Sequence, residues 1–152
     1  MHVLNKGKNG EREIADLLRR EIANVGQAQG FSPTVVNKAQ DMVQRNQNQS
    51  ANGGADIVCF GVAIEVKRQE ALSLNNWWKQ CTKSAEDITA RGNPVVPVLL
   101  YRQNRQKWTC VMNMDMRLPD QDALRVRAET DLDSFLNWFH YWVIPYLKQI
   151  PE

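Results

Sequence analysis

The sequence predicts an α/β fold in which helices flank a mixed five-stranded sheet of antiparallel hairpin strands plus a parallel crossover. Two observations carry this prediction. Residues 57–60 and 62–66 are short apolar runs that meet at Gly61, a residue free to take the positive φ of a tight turn, which signals a β-hairpin. Residues 74–90 then repeat apolar side chains at helical spacing, and residues 95–101 form a near-continuous apolar run rich in β-branched residues. A strand, a helix and another strand in that order imply a right-handed crossover to a parallel neighbour.

Taken in order, the elements are as follows. A first helix starts at Asn9 or Gly10; Ile14, Leu17, Leu18, Ile22 and Val25 form one buried stripe, and Gly26 and Gly30 end it. A short helix or irregular connection, opened by Ser32-Pro33-Thr34, occupies residues 31–41, and a first strand is expected around residues 42–45. Residues 46–54 (NQNQSANGG) hold no large apolar side chain and read as a flexible polar loop leading into the hairpin. The helix over 74–90 has Leu74, Trp78, Cys81, Ala85 and Ile88 as its seam, and Arg91-Gly92-Asn93-Pro94 ends it. After the strand over 95–101, residues 108–112 alternate like a half-buried strand and residues 113–129 read as irregular. Thr130 and Asp133 resemble a capping box opening a last helix, with Leu132, Phe135, Leu136, Phe139 and Val143 as its stripe and Pro145 ending or kinking it.

At 152 residues, 43% apolar and 24% charged, the chain is expected to be one domain over 1–152, with too ordinary a composition for disorder. A net charge of +2 permits nucleic acid as a partner without demanding it. The three cysteines, Cys59, Cys81 and Cys110, are widely spaced within apolar patterns, as expected of buried thiols in a reducing compartment. The N-terminal stretch does not resemble a signal peptide, and no apolar run approaches the ~20 residues of a membrane span. A cytoplasmic protein with no membrane association is expected, and its metal would come from a magnesium-rich pool.

The hairpin carries the chemistry. Side chains alternate along a strand, so Glu65 and Lys67 share one face with Ala63, while Val62, Ile64 and Val66 take the other. Asp56, on the neighbouring strand, reaches the same place. Two carboxylates on adjacent strands suit a hard divalent cation such as Mg2+, for which Mn2+ substitutes, with the Val66 backbone carbonyl as a third protein ligand. Lys67 beside them would orient a water or stabilise a charged transition state, so the set suits phosphodiester hydrolysis. Chance alone supplies a Glu-x-Lys tripeptide in roughly half of chains this long, so the weight rests on the convergence with Asp56. The basic residues Lys6, Lys8, Arg12, Arg45, Arg68, Lys79 and Lys83 cluster near these elements in sequence, where they would neutralise phosphates.

Ala55-Asp56 followed by Glu65-Val66-Lys67 resembles the PD-(D/E)xK nuclease superfamily, with Ala55 in place of its proline. Lys6-Gly7-Lys8-Asn9-Gly10-Glu11-Arg12 further resembles the opening of the archaeal-type Holliday junction resolvases, also encoded by some phages. The resemblance implies a restriction-endonuclease-like fold and a magnesium-dependent, structure-selective endonuclease that cleaves branched DNA as a homodimer. It makes Glu11 the third acidic active-site residue, with Glu13 as fallback. It also makes Arg45 and Ser50 candidates for DNA handling in the segment before Asp56, and Gln80 a candidate assistant on the following helix; Lys83 joins the DNA-binding set. The surplus aromatics Trp138, Tyr141 and Trp142 would mark the dimer interface. Two rival readings share the sequence: a PD-(D/E)xK nuclease for flap, single-stranded or restriction-type DNA targets, and a non-catalytic DNA-binding protein.

Overall fold

The computed structural model describes residues 3–45 and 55–152, with side chains from Gly7 onward. Helix α1 spans Val3–Gln29 and buries Ile14, Ala15, Leu18, Ile22 and Val25. It starts earlier than predicted, carrying Gly10 into its interior. There it faces the sheet, where a Cβ would come into van der Waals contact with Val66, Arg68 and Trp108, each at 3.4 Å. Gly26 is likewise inside the helix, packed too closely on Val36 for any side chain, and Gly30, at φ +76°, makes the turn out.

Helix α2 covers Pro33–Asp41, with Ser32 as its N-cap: the Ser32 hydroxyl accepts a hydrogen bond from the Val35 N–H at 3.2 Å. The strand expected at residues 42–45 is reduced to one bridge between Arg45 and Ile57. Local bonds claim that backbone first. Met42 and Val43 donate back to Ala39 and Gln40, and the Val43 carbonyl accepts from Arg19 Nη2 at 2.6 Å.

The hairpin forms as read, with β1 at Ile57–Cys59 and β2 at Val62–Arg68 in the register Ile57 to Ile64. Its two turn residues, Phe60 and Gly61, both have positive φ (45° and 73°), which suits the right-handed twist of the strands. Helix α3, Leu74–Ala90, crosses over to β3, Val96–Arg102, which pairs parallel to β2 with Glu65 beside Leu99 and Lys67 beside Tyr101. The α3 seam is rotated slightly from the predicted one, with Trp77 rather than Trp78 fully buried.

The fifth strand is not where the sequence placed it. Residues 113–129, read as irregular, extend β4 to Thr109–Leu118 and then form β5, Gln121–Asp131, which pairs antiparallel to it. The sheet order is β1-β2-β3-β4-β5, so β1 and β5 are its edges. One face, including Val62, Ile64, Val66, Val98 and Leu100, makes the main core with α1, α2 and the C-terminal helices. Ala63, Leu99 and Val111 pack on the other face under α3, the face that carries Glu65 and Lys67.

Helix α4, Leu132–Trp142, is capped by Asp131, not Thr130: Asp131 Oδ1 accepts from the Ser134 N–H at 2.7 Å. Pro145 falls in the first turn of a separate short helix α5, Ile144–Lys148, where it is tolerated. Trp142 Nε1 donates to the Phe60 carbonyl at 2.7 Å and Tyr146 lies over Gly61, so the two last helices clamp the hairpin turn.

Candidate active site

The β1–β2 register decides what meets what. Ile57 opposes Ile64, so one step further along the ladder Asp56 stands opposite Glu65. The strand backbone fixes the aspartate: Asp56 Oδ2 accepts a hydrogen bond from the Val66 N–H at 2.8 Å. Both carboxyls are buried, with Asp56 5% and Glu65 3% exposed. Burial, the Asp56 charge, a hydrogen bond to Asp56 and the more distant Glu11 charge push Glu65 up to about 8, while Lys67 works against them. With Glu65 buried against the Asp56 carboxylate, a second negative charge there is poorly accommodated. Lys67 follows on the same face, half-buried.

Glu11 reaches this centre from α1 without joining the contact. Its carboxyl is raised by burial and then by the Asp56 charge, with Arg45, Lys8 and Arg12 opposing. Arg45 Nε lies 3.8 Å from Glu11 Oε1, so the arginine expected to handle DNA is turned onto the acidic group. Among the described residues no three of His, Cys, Asp and Glu converge as a metal-holding group. The donor set in contact is therefore Asp56 and Glu65, hard oxygens in a buried like-charged pair. That chemistry fits a divalent cation in place of the Glu65 proton.

Glu13, the fallback, is engaged elsewhere: it accepts from Trp108 Nε1 at 2.9 Å and from Arg102 Nη1 at 3.3 Å. Gln80 is exposed on α3, and the helix presents Cys81 to the site instead. The sequence placed Cys81 on the buried seam of α3 but not beside the site; its thiol lies within reach of the Glu65 and Val98 backbone and is raised, chiefly by burial. The alternation of Trp77, Cys81 and Ala85 as the seam of α3 was the available signal. Lys8, Arg12 and Lys79 are exposed, and Lys83 is exposed and paired with Asp87 at 3.4 Å. Arg68 is half-buried, its Nε enclosed and without a hydrogen-bond partner among the described residues. Lys6 lies in α1 ahead of the described side chains, and Ser50, with the loop over 46–54, lies outside the described residues. The surplus of aromatics is mostly absorbed: Trp138 and Trp142 stack on each other at 4.8 Å and pack against the core, leaving Tyr141 exposed at 63%.

A mixed five-stranded sheet flanked by helices, with Asp56, Glu65 and Lys67 gathered on its β1–β2 hairpin, defines a restriction-endonuclease-like fold of the PD-(D/E)xK type. Residues 3–133 match the family described as phage putative PDDEXK endonuclease, and the chain belongs to that family. It is thus a phage-type endonuclease of the PD-(D/E)xK superfamily, with DNA as its substrate. Comparison with curated proteins and with solved structures gave no match. Among the described residues no helix is long and apolar enough to cross a membrane.

Proposed function

We propose that this chain is a magnesium-dependent endonuclease selective for branched DNA, four-way junctions foremost. The carrying observation is the buried contact between Asp56 and Glu65, with Lys67 next on the same face of β2. Asp56, Glu65 and the Val66 carbonyl would hold the ion, and Glu11 would complete the acidic surroundings. When bound, Mg2+ or Mn2+ supplies Lewis-acid charge and an acidified water. The rest falls to the chain. The Val66 N–H keeps Asp56 in place, β2 presents Glu65 and Lys67 from a rigid element, and the Lys67 ammonium orients the water and offsets charge on the phosphorane-like transition state. Arg68, one residue beyond Lys67, leaves β2 on the opposite face, toward α1, and would bring a guanidinium to the same end of the strand for a flanking phosphate. The preference for junctions rests on the Lys6 to Arg12 stretch, which resembles the opening of the junction resolvases.

The test is cleavage of four-way junction, flap, single-stranded and linear duplex DNA, with Mg2+ and then with chelator. Symmetric nicks confined to the junction and lost on chelation are expected. Asp56→Asn, Glu65→Gln and Lys67→Ala should each abolish cutting while leaving the fold and junction binding in place. Cutting of flaps or duplex instead would assign the site to another DNA target. Full activity in any of the three variants would overturn the site.

A further inference from the structure

Strand β5 is an open edge with an unusual charge order. Its eleven residues, Gln121–Asp131, are mostly exposed, and no strand pairs with its outer side among the described residues. It contains no proline and no lysine, the usual guards of an edge. Arg125, Arg127, Glu129 and Asp131 oppose Asp115, Asn113, Val111 and Thr109 on β4, so all four point to the α3 face. Leu124, Val126 and Ala128 occupy the other face. Along one face the strand therefore reads two positive charges and then two negative ones.

Such a sequence is complementary to itself when run antiparallel. We propose that β5 pairs with β5 of a second copy of this chain across a two-fold axis at Ala128, joining the two sheets edge to edge. In that register Arg127 of each copy opposes Glu129 of the other, while the small Ala128 side chains meet at the axis; Arg125 stands across from Asp131, but each already has a partner in its own chain, Asp115 and the Ser134 N–H, so the charge match rests on the Arg127–Glu129 pairs. The neighbouring centres fail on charge. An axis at Val126 sets Arg125 against Arg127, and axes at Arg127 or Glu129 set like charges on each other. A two-fold normal to the sheet keeps each face continuous, and the paired stretch runs over residues 125–131 of both copies. The pairing supplies backbone partners to an edge that no other strand covers among the described residues. It also places the two Glu65–Lys67 segments on one continuous sheet, about 34 Å apart measured along it. The interface stands independently of the junction reading.

Reversing these charges breaks no ion pair within the chain: the β4 neighbours of Arg127 and Glu129 are the uncharged Asn113 and Val111, and the bond Arg127 gives up is the one to the neutral Asn75 amide at 3.1 Å. Sedimentation equilibrium of the full chain should show a dimer. Arg127→Glu and Glu129→Arg should each raise its dissociation constant about 10- to 100-fold, since two attractive pairs become repulsive by symmetry. Circular dichroism should show both still folded. An equimolar mixture of the two single variants should associate again, as should the double variant R127E/E129R, because each restores opposite charges across the axis. A wild-type monomer at high micromolar concentration, a dimer indifferent to either reversal, or single variants that the mixture does not rescue would each overturn the proposal.

Discussion

Replacing Glu65 with glutamine should change how stability depends on pH in metal-free protein. Folded Glu65 holds its proton to about 8, against 4.5 for an unperturbed glutamate, because it is buried against Asp56. The sign follows from proton counting. Between about 4.5 and 8 the unfolded chain has lost this proton and the folded chain keeps it, so the native state binds more protons and stability falls as pH rises. One group gives at most about 1.4 kcal/mol per pH unit, and so no more than about 4 kcal/mol between pH 5 and pH 8. The contribution is fully present below pH 4.5 and gone above about 8. Glutamine keeps a hydrogen-bonding amide beside Asp56 and has no proton to lose, so Glu65→Gln should flatten this slope. Urea denaturation in chelator at pH 5, 6, 7, 8 and 9 measures it, and the difference between wild type and variant cancels other titrating groups. At pH 8, Mg2+ at a hundredfold its dissociation constant should return about 2.7 kcal/mol to the wild type, and much less to the variant. Parallel curves for the two proteins would refute the buried acidic pair.

Two further changes probe the supports of the site. Gly61→Ala puts a Cβ at φ +73° and directly against the Tyr146 hydroxyl, so it should destabilise by at least about 1–2 kcal/mol from the backbone alone, measured by urea denaturation. Adding Tyr146→Phe should recover part of the loss by removing the hydroxyl in the way. Arg68→Ala should cost some stability, because its stem packs beside α1 with Nε enclosed, and should weaken DNA binding; the slope of log K against log salt should fall by about 0.9, the signature of one lost phosphate contact, in a titration series of ionic strength. An unchanged slope would detach Arg68 from the DNA.

Elements whose pattern is local were readable in the sequence. The stripe from Ile14 to Val25 and the Gly61 hairpin each carry their own periodicity and form as read, and the seam of α3 forms with a small rotation that buries Trp77 in place of Trp78. What failed depended on competition or on distance. The strand at residues 42–45 lost its backbone groups to the end of α2 and to Arg19, a partner far away in the chain. Strand β5 looked irregular because its apolar alternation, Leu124, Val126, Ala128, is interleaved with charge and scarcely buried, although Asp120, at φ +58°, marks the turn before it. At the site, the opposition of Asp56 and Glu65 follows from hairpin register and was legible. The engagement of Glu13 by Trp108 and Arg102 was not, because it joins α1 to residues about ninety positions later.

The same register argument ties the far end of the hairpin to its chemistry. Asp56 faces Glu65 only because Ile57 faces Ile64 and Cys59 faces Val62, a chain of pairings that begins at the Phe60-Gly61 turn. A slip of one residue would move every β2 side chain to the opposite face and put Val66 or Ile64 across from Asp56. The turn is held by two groups outside the sheet, the Trp142 indole on the Phe60 carbonyl and the Tyr146 ring over Gly61. Neither touches a carboxylate. Both nonetheless restrict the register on which the carboxylate pair depends, so the C-terminal helices of this fold act as positioning elements for a site at the other end of β2.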